Sequence, residues 1–206
     1  MLRSITPEQG DTGPDENRYW VLFPPRYMLV GLTGRNAAGK TTVVEWFRDR
    51  GFLTGSCSDS IRTWLSENNT EPTRENLING GRELRRRHGP GILAEMLLET
   101  FGDRNAIIDS IRTPDEVHAL RRRGDFVLIE VTADPEIRWL RAKERARPGD
   151  PVTKEGFIES ENLELVSKDT SGQSLIATSA LADHTVENNG DIDELAKRLE
   201  GLFPSI

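Results

Sequence analysis

The sequence predicts a three-layer α/β/α fold in which a five-stranded, mainly parallel sheet carries helices on both faces. Two observations indicate this class. Short apolar runs alternate along the chain with longer segments whose apolar residues recur at helical spacing, which is the pattern of a parallel sheet with helical crossovers. A glycine-rich turn also joins the first apolar run to the first helical segment, and strand–turn–helix units of this kind recur in α/β folds.

The first half of the chain contains three predicted strands and four predicted helices. Apolar residues at helical spacing follow the glycine-rich turn, and Gly51 stops this pattern because glycine favours the end of a helix. Asp59 can cap the next helix, Pro72 precedes a helix rich in arginine, and Gly89 ends it. The strands are predicted at residues 27–32, 52–57 and 106–109, and the helices begin near residues 41, 59, 73 and 92.

The second half alternates strands and helices in the same way. Pro114 lies in the first turn of a short helix, where its fixed backbone angle is favourable. The strand at residues 126–131 is nearly continuous in apolar residues, as buried parallel strands are. Pro135 opens a helix dense in arginine, and residues 167–174 form a polar turn region. The last strand is predicted at residues 184–188, and the helices begin near residues 114, 135, 157 and 191.

The domain organisation is a short arm followed by one domain. Residues 1–26 are predicted to be an N-terminal arm, because residues 1–18 are polar and rich in Pro, Gly, Asp and Glu. Its apolar stretch at residues 19–23 could cover the edge of the sheet or a partner subunit, or the arm could be a dangling tail, and the oligomeric state stays open. Residues 27–206 are predicted to form a single domain, since no internal repeat divides them.

Composition excludes several classes of protein. The formal net charge of −7 argues against a protein that binds nucleic acid polymers, because such proteins normally present a basic face. The single cysteine, Cys57, excludes an internal disulfide and fits a reducing compartment. No apolar run approaches the roughly 20 residues that a membrane-spanning helix needs. We therefore expect a cytoplasmic protein without a membrane partner.

The turn after the first strand is a G-x-x-x-x-G-K-T motif, which binds nucleotide phosphates. Gly34 and Gly39 let the backbone bend so that successive N–H groups face phosphate oxygens. Lys40 should reach the β- and γ-phosphates, and the Thr41 hydroxyl should bind Mg²⁺. We expect the ATP site to comprise this loop and its flank: Gly34, Asn36, Ala37, Ala38, Gly39, Lys40, Thr41 and Thr42.

The motif is shared by several classes of nucleotide-binding protein. A GTPase would carry an Asn-Lys-x-Asp element, which the chain lacks. An ATPase motor usually carries a glutamate directly after the carboxylate that ends a strand, where it orients the attacking water, but Ser110 follows Asp109. The alternative from another class is a regulatory module that binds NTP and hydrolyses it slowly without an acceptor.

A small-molecule kinase needs arginines close to the phosphate-binding loop, because it must bind an anionic substrate and exclude water. Asp59 and Arg62 follow the second predicted strand, and Asp109 and Arg112 follow the third. The carboxyl ends of parallel strands meet at one edge of the sheet, so we expect these residues beside the loop. The helix after the fourth strand adds three arginines on one stripe: Arg138, Arg141 and Arg145.

These motifs resemble those of the P-loop nucleoside and nucleotide monophosphate kinases, a group that includes adenylate kinase and dephospho-CoA kinase. The resemblance extends over residues 28–202. Residues 59–62 are similar to the group's acceptor-binding Gly-Asp-x-x-Arg segment, with Ser58 in place of the glycine. Residues 109–112 are similar to its Asp-Gly-x-x-Arg segment, with Ser110 in place of the glycine.

The resemblance implies a P-loop kinase fold with a helical lid over about residues 135–165 and acceptor-binding helices over about residues 59–100. It implies Mg·ATP as the phosphoryl donor. Arg141 and Arg145 would be the lid arginines that close over the triphosphate. Asn188, after the last strand, would contact the donor nucleotide near its adenine. A lid that binds zinc is excluded, because the chain has one cysteine.

The expected activity is transfer of the γ-phosphoryl group to a nucleotide-like acceptor, most simply a ribo- or deoxynucleoside monophosphate. Asp109 would hold a Mg²⁺-bound water, and Arg62, Arg82 and Arg112 would bind the acceptor. Asp59 would be the general base if the acceptor is a ribose hydroxyl, as in dephospho-CoA kinase. If the acceptor is a phosphate, Asp59 positions an arginine or the ligand, or it only caps its helix. The catalytic candidates are Lys40, Asp59, Arg141 and Arg145.

Overall fold

The computed structural model describes residues 27–146, 151–166, 174–204 and 206. Its strands are β1 (Leu29–Thr33), β2 (Leu53–Ser56), β3 (Ala106–Asp109), β4 (Phe126–Thr132) and β5 (His184–Glu187). The helices are α1 (Lys40–Arg48), α2 (Cys57–Glu67), α3 (Arg74–His88), α4 (Ile92–Phe101), α5 (Pro114–Arg121), α6 (Pro135–Arg145), α7 (Lys154–Val166), α8 (Leu175–Ser179) and α9 (Ile192–Leu202). The predicted N-terminal arm and most of the polar turn region lie outside the described residues.

The five strands form one sheet in the order β2-β3-β1-β4-β5, and every neighbouring pair is parallel. The strand that precedes the glycine-rich turn is therefore central. Leu29 in β1 lies opposite Ala106 on one side and Phe126 on the other. This topology confirms the predicted three-layer fold, and it brings the carboxyl ends of β1, β3 and β4 to one edge of the sheet.

Side chains of β1 alternate between two apolar cores, one on each face of the sheet. Leu29 packs into a core that includes residues of α2, α4 and α5, whereas Val30 and Leu32 pack into a core with residues of α1 and α9. In the second core, the Phe47 ring packs edge-on against Phe203 at 5.2 Å between centroids. Burying each such side chain contributes about 1.5–3 kcal/mol, so both helical layers are fixed to the sheet.

Two local features differ from the sequence-based expectation. Cys57 is the first residue of α2 rather than the end of the preceding strand, because Asp59 at the third helical position accepts a hydrogen bond from the Ser56 N–H. The short helix α8 at Leu175–Ser179 was not predicted, since five residues are too few to show helical periodicity. Among the described residues, no helix combines the length and apolar character that a membrane crossing requires.

Candidate active site

One cavity of about 440 Å³ lies at the carboxyl edge of the sheet. Three parts of the chain line most of it: the phosphate-binding loop, the segment after β3, and the C-terminal half of α6. The residues that line it are Gly34, Asn36, Ala37, Gly39, Lys40, Thr41, Asp109, Ser110, Arg112, Arg141, Arg145 and Leu175. The fold therefore brings together the P-loop motif, the carboxylate that ends β3 and both predicted lid arginines.

The two motif glycines occupy positions that a side chain could not. Gly34 has a φ of 129°, and a Cβ atom there would lie 2.2 Å from the Val131 carbonyl oxygen. Gly39 has a φ of 99°, and a Cβ atom there would lie 2.0 Å from Nδ2 of Asn188. Both angles are in the region that only glycine adopts at low cost. These glycines therefore let the loop pass closely over β4 and Asn188.

Lys40 lies at the start of α1 and folds back over the loop. Its Nζ donates to the carbonyl oxygens of Gly34 at 2.7 Å and Arg35 at 2.9 Å. Gly39 is the N-cap of α1, so the positive end of the helix dipole faces the same cavity. An ammonium group and a helix N-terminus at one position favour the binding of phosphate oxygens.

Thr41 is predicted to bind Mg²⁺ and Asp109 to hold a Mg²⁺-bound water, and both residues line the cavity. One Asp109 carboxylate oxygen, Oδ1, accepts a hydrogen bond from the Ser110 N–H at 2.6 Å. The described residues contain no group of three or more His, Cys, Asp or Glu side chains that could hold a metal. One carboxylate, that of Asp109, and the Thr41 hydroxyl fit Mg²⁺, because this ion is commonly held by one or two carboxylates together with substrate phosphates and water.

Arg141 and Arg145 lie one turn apart near the end of α6 and connect this helix to the loops around the cavity. Arg141 donates from Nη1 to the Asn188 carbonyl at 2.9 Å, and from Nη2 to the Gly190 carbonyl at 3.5 Å. Arg145 donates to Oδ1 of Asn36 in the phosphate-binding loop at 3.2 Å. The acceptors in these three contacts are backbone carbonyl or side-chain amide oxygens of loops around the cavity.

Arg138 does not join the other two arginines of the predicted stripe. Its side chain is 2% exposed, pairs with Glu161 of α7 and donates to the Ala133 carbonyl at 2.9 Å. Burial, together with the charge of Arg35, lowers the pKa of the Arg138 guanidinium to about 10, so it stays charged at neutral pH. Glu161 also lies 3.8 Å from Nη1 of Arg35, and thus one carboxylate connects α6, α7 and the phosphate-binding loop.

We expect Glu161→Gln to lower the free energy of unfolding by about 3 kcal/mol, because it leaves a buried guanidinium without its countercharge. Urea denaturation measures this quantity. Glu159→Gln is the matched control, since Glu159 is an exposed residue of the same helix beyond its first turn, and its stability should equal that of the wild type. Equal stability of the two variants would show that the Glu161 carboxylate does not hold this region together.

Asp59, Arg62 and Arg82 lie outside the described lining of the cavity. Oδ2 of Asp59 accepts hydrogen bonds from the Ser56 N–H at 2.8 Å and the Ser56 hydroxyl at 2.9 Å. Its other oxygen, Oδ1, pairs with Nη1 of Arg62 at 2.9 Å, and both side chains are about half exposed. Arg82 is exposed on α3. Their roles in acceptor binding stay predictions.

Asn188 is buried beneath the phosphate-binding loop. Its side chain is 6% exposed and donates from Nδ2 to the carbonyl of Ala38 at 2.9 Å. Ala38 itself is fully buried. Thr42 lies in the first turn of α1, directly after the lining residues Lys40 and Thr41. The geometry gives Asn188 a role in supporting the loop, while its contact with the adenine of ATP stays a prediction.

Glu116 is a residue of this region that the sequence did not single out. It is 1% exposed, and its Oε2 accepts from the backbone N–H groups of Arg112 at 2.9 Å and Thr113 at 3.3 Å. Its Oε1 accepts from Nη2 of Arg85 at 3.1 Å. Glu116 therefore fixes the backbone that presents Arg112 to the cavity. The sequence contains a signal for part of this role, because Thr113 and Glu116 have the spacing of a capping box.

Solved structures with a similar fold include two shikimate kinases. The enzyme from Acinetobacter baumannii in complex with shikimate has a TM-score of 0.56 at 16% identity, and the match covers 88% of this chain and 95% of that one. The enzyme from Bacteroides thetaiotaomicron has a TM-score of 0.53 at 15% identity, covering 86% and 98%. At such low identity the likeness concerns the fold alone, and it confirms the predicted P-loop kinase fold.

Sequence relatives cover most of the chain. No family model matches the chain. A UPF0200 protein of Hyperthermus butylicus is 31% identical over 178 residues, which are 84% of this chain and 92% of that protein. A UPF0200 protein of Thermococcus gammatolerans is 31% identical over 191 residues, covering 87% and 95%. The chain has a P-loop kinase fold and belongs to the UPF0200 protein family.

Proposed function

We propose that this protein is an ATP-dependent small-molecule kinase that transfers the γ-phosphoryl group of Mg·ATP to a nucleotide-like acceptor. One observation carries the proposal. The same cavity is lined by the P-loop lysine, by the carboxylate that ends β3, and by arginines from the segment after β3 and from α6. A protein that only binds nucleotide would not need arginines from two separate segments in the lining of one phosphate site.

The donor half of the reaction rests on the loop and α1. Lys40 and the backbone N–H groups at the start of α1 would bind the β- and γ-phosphates. Thr41 and Asp109 would hold Mg²⁺, the first directly and the second through water. The ion, when bound, neutralises charge on the phosphates during transfer. Asn188 would hold the loop in its phosphate-binding conformation through its hydrogen bond to the Ala38 carbonyl.

The lid arginines would act in the transition state. Arg141 and Arg145 contact loops beside the cavity and can turn to the transferred phosphoryl group, where negative charge must be stabilised. Phosphoryl transfer demands this kind of positioning and electrostatic stabilisation more than covalent chemistry. Closing α6 over the cavity would also exclude water, which otherwise competes with the acceptor.

The residues of the site favour a phosphate ester as the acceptor. Arg112 lines the cavity and can bind an anionic group with its planar guanidinium. An acceptor phosphate already carries a nucleophilic oxygen, so its attack on the γ-phosphorus yields ADP and a diphosphate without a general base. Both oxygens of Asp59 are engaged by Ser56 and Arg62, which favours this acceptor over the ribose hydroxyl of a dephospho-CoA kinase-like reaction.

A screen for acceptor-dependent ADP release tests the proposal. The protein is incubated with Mg·ATP and a panel of ribo- and deoxynucleoside monophosphates plus dephospho-CoA, against a blank without acceptor. We expect release to rise with a monophosphate and Asp59→Asn to retain it, because no base is required. Loss of dephospho-CoA phosphorylation in Asp59→Asn would instead assign the base. Equal release with and without every acceptor would favour the regulatory ATPase.

A further inference from the structure

Ser110 has a backbone conformation that is costly for its residue type. Its φ is 64°, in the left-handed region that glycine adopts without strain and that an L-residue adopts at a cost. Serine is not among the non-glycine residues that favour this region, which are mainly asparagine and aspartate. A glycine at position 110 would therefore make the same turn at lower cost.

The neighbours of Ser110 impose this turn. Asp109 ends β3, and its Oδ1 accepts from the Ser110 N–H at 2.6 Å. Ile111 is fully buried, and its N–H donates to the Leu32 carbonyl at 3.1 Å. With Asp109 and Ile111 both held in place, the left-handed angle falls on the residue between them. The same turn brings Ser110 to the wall of the cavity, between Asp109 and Arg112.

We propose that Ser110 is a substrate-contacting residue whose hydroxyl donates a hydrogen bond to the anionic group of the acceptor. This inference rests on the proposed kinase function. Among the described residues no protein group hydrogen-bonds the Ser110 hydroxyl, so a ligand in the cavity can use it. An anion beside the Asp109 carboxylate also needs donors on the acceptor side, and Ser110 and Arg112 together supply them. Strain at a ligand site is retained when the strained residue serves the ligand.

Three variants separate the strain from the contact. Ser110→Gly removes both the strain and the hydroxyl, and Ser110→Ala removes the hydroxyl alone. Asn69→Gly is the control for placing a glycine at a left-handed position, since Asn69 has a φ of 51° on an exposed turn outside the cavity lining. Each is measured for melting temperature and for kcat/KM toward the acceptor that the panel identifies.

We expect Ser110→Gly to melt about 2–4 °C higher than the wild type and to lose about tenfold in kcat/KM for the acceptor, the value of one hydrogen bond to a charged group. Ser110→Ala should lose the same activity at an unchanged melting temperature, and Asn69→Gly should keep full activity. A purely structural role predicts instead that the more stable Ser110→Gly is at least as active as the wild type.

Each other outcome is informative. Full activity of Ser110→Gly or Ser110→Ala would overturn the contact, while the wild-type reaction would still support the kinase. An unchanged melting temperature of Ser110→Gly would show that Ser110 is unstrained and would overturn the inference as well. If the wild type phosphorylates no acceptor, the proposed function itself fails and this inference fails with it.

Discussion

Replacing Arg141 and Arg145 together by alanine should lower kcat by about 10³ or more, the value of an arginine that stabilises transferred phosphoryl charge. Binding of Mg·ATP should persist, because Lys40 and the loop remain. The reason is geometric: both guanidinium groups reach the loops around the cavity from α6, at 2.9 Å from the Asn188 carbonyl and 3.2 Å from Asn36. The measurement is the steady-state rate together with the Kd for Mg·ATP.

The control for this variant is Lys143→Ala, which removes an exposed cation from the same helix. Its rate should match the wild type, and circular dichroism should be alike for all three proteins. Intact phosphoryl transfer in the double variant would remove Arg141 and Arg145 from the catalytic machinery. A weaker affinity for Mg·ATP at an unchanged kcat would show that they bind the ground state and the transition state equally.

Lys40→Ala should weaken Mg·ATP binding by about 10²-fold, because a charge-assisted hydrogen bond to phosphate is worth about 1.5–3 kcal/mol. Turnover should fall further, since the same ammonium also stabilises the charge of the γ-phosphoryl group in the transition state. Two carbonyl contacts within the loop are also lost. Titration calorimetry measures the affinity, and coupled ADP release measures the rate.

Lys197→Ala is the matched control for this loss of charge, because Lys197 is exposed on α9. We expect its affinity and rate to equal those of the wild type. Unchanged ATP affinity and turnover in Lys40→Ala would contradict the assignment of the loop as the nucleotide site. Such a result would leave the fold intact but without its proposed activity.

The sequence predicted those parts of the fold that depend on local pattern. The parallel sheet follows from short apolar strands between helical segments, and the loop follows from a motif whose glycines must be glycines for steric reasons. The cavity was predictable to the extent that strand ends meet at one edge. The rule correctly predicted that Asp109 and Arg112 line the same cavity as Arg141 and Arg145 of α6.

Features set by side-chain packing were harder to predict. Helical spacing alone cannot distinguish Arg138, which α7 covers, from Arg145, which reaches the loop. Asp59 and Arg62 follow a strand end as expected, but Asp59 bonds to the start of its own helix and to Arg62. The capping-box spacing of Glu116 indicates its bond to the Thr113 N–H, but its contacts with Arg85 of α3 and with the Arg112 N–H depend on the tertiary structure.

The fate of the γ-phosphoryl group in water labelled with oxygen-18 tests the central claim most directly. The protein, Mg·ATP and the acceptor panel are incubated in this water, and mass spectrometry follows the products. The proposed kinase predicts an acceptor that gains one phosphoryl group without heavy oxygen, together with little labelled inorganic phosphate. Labelled phosphate formed at the same rate with and without acceptor would contradict the claim, because water would then be the nucleophile.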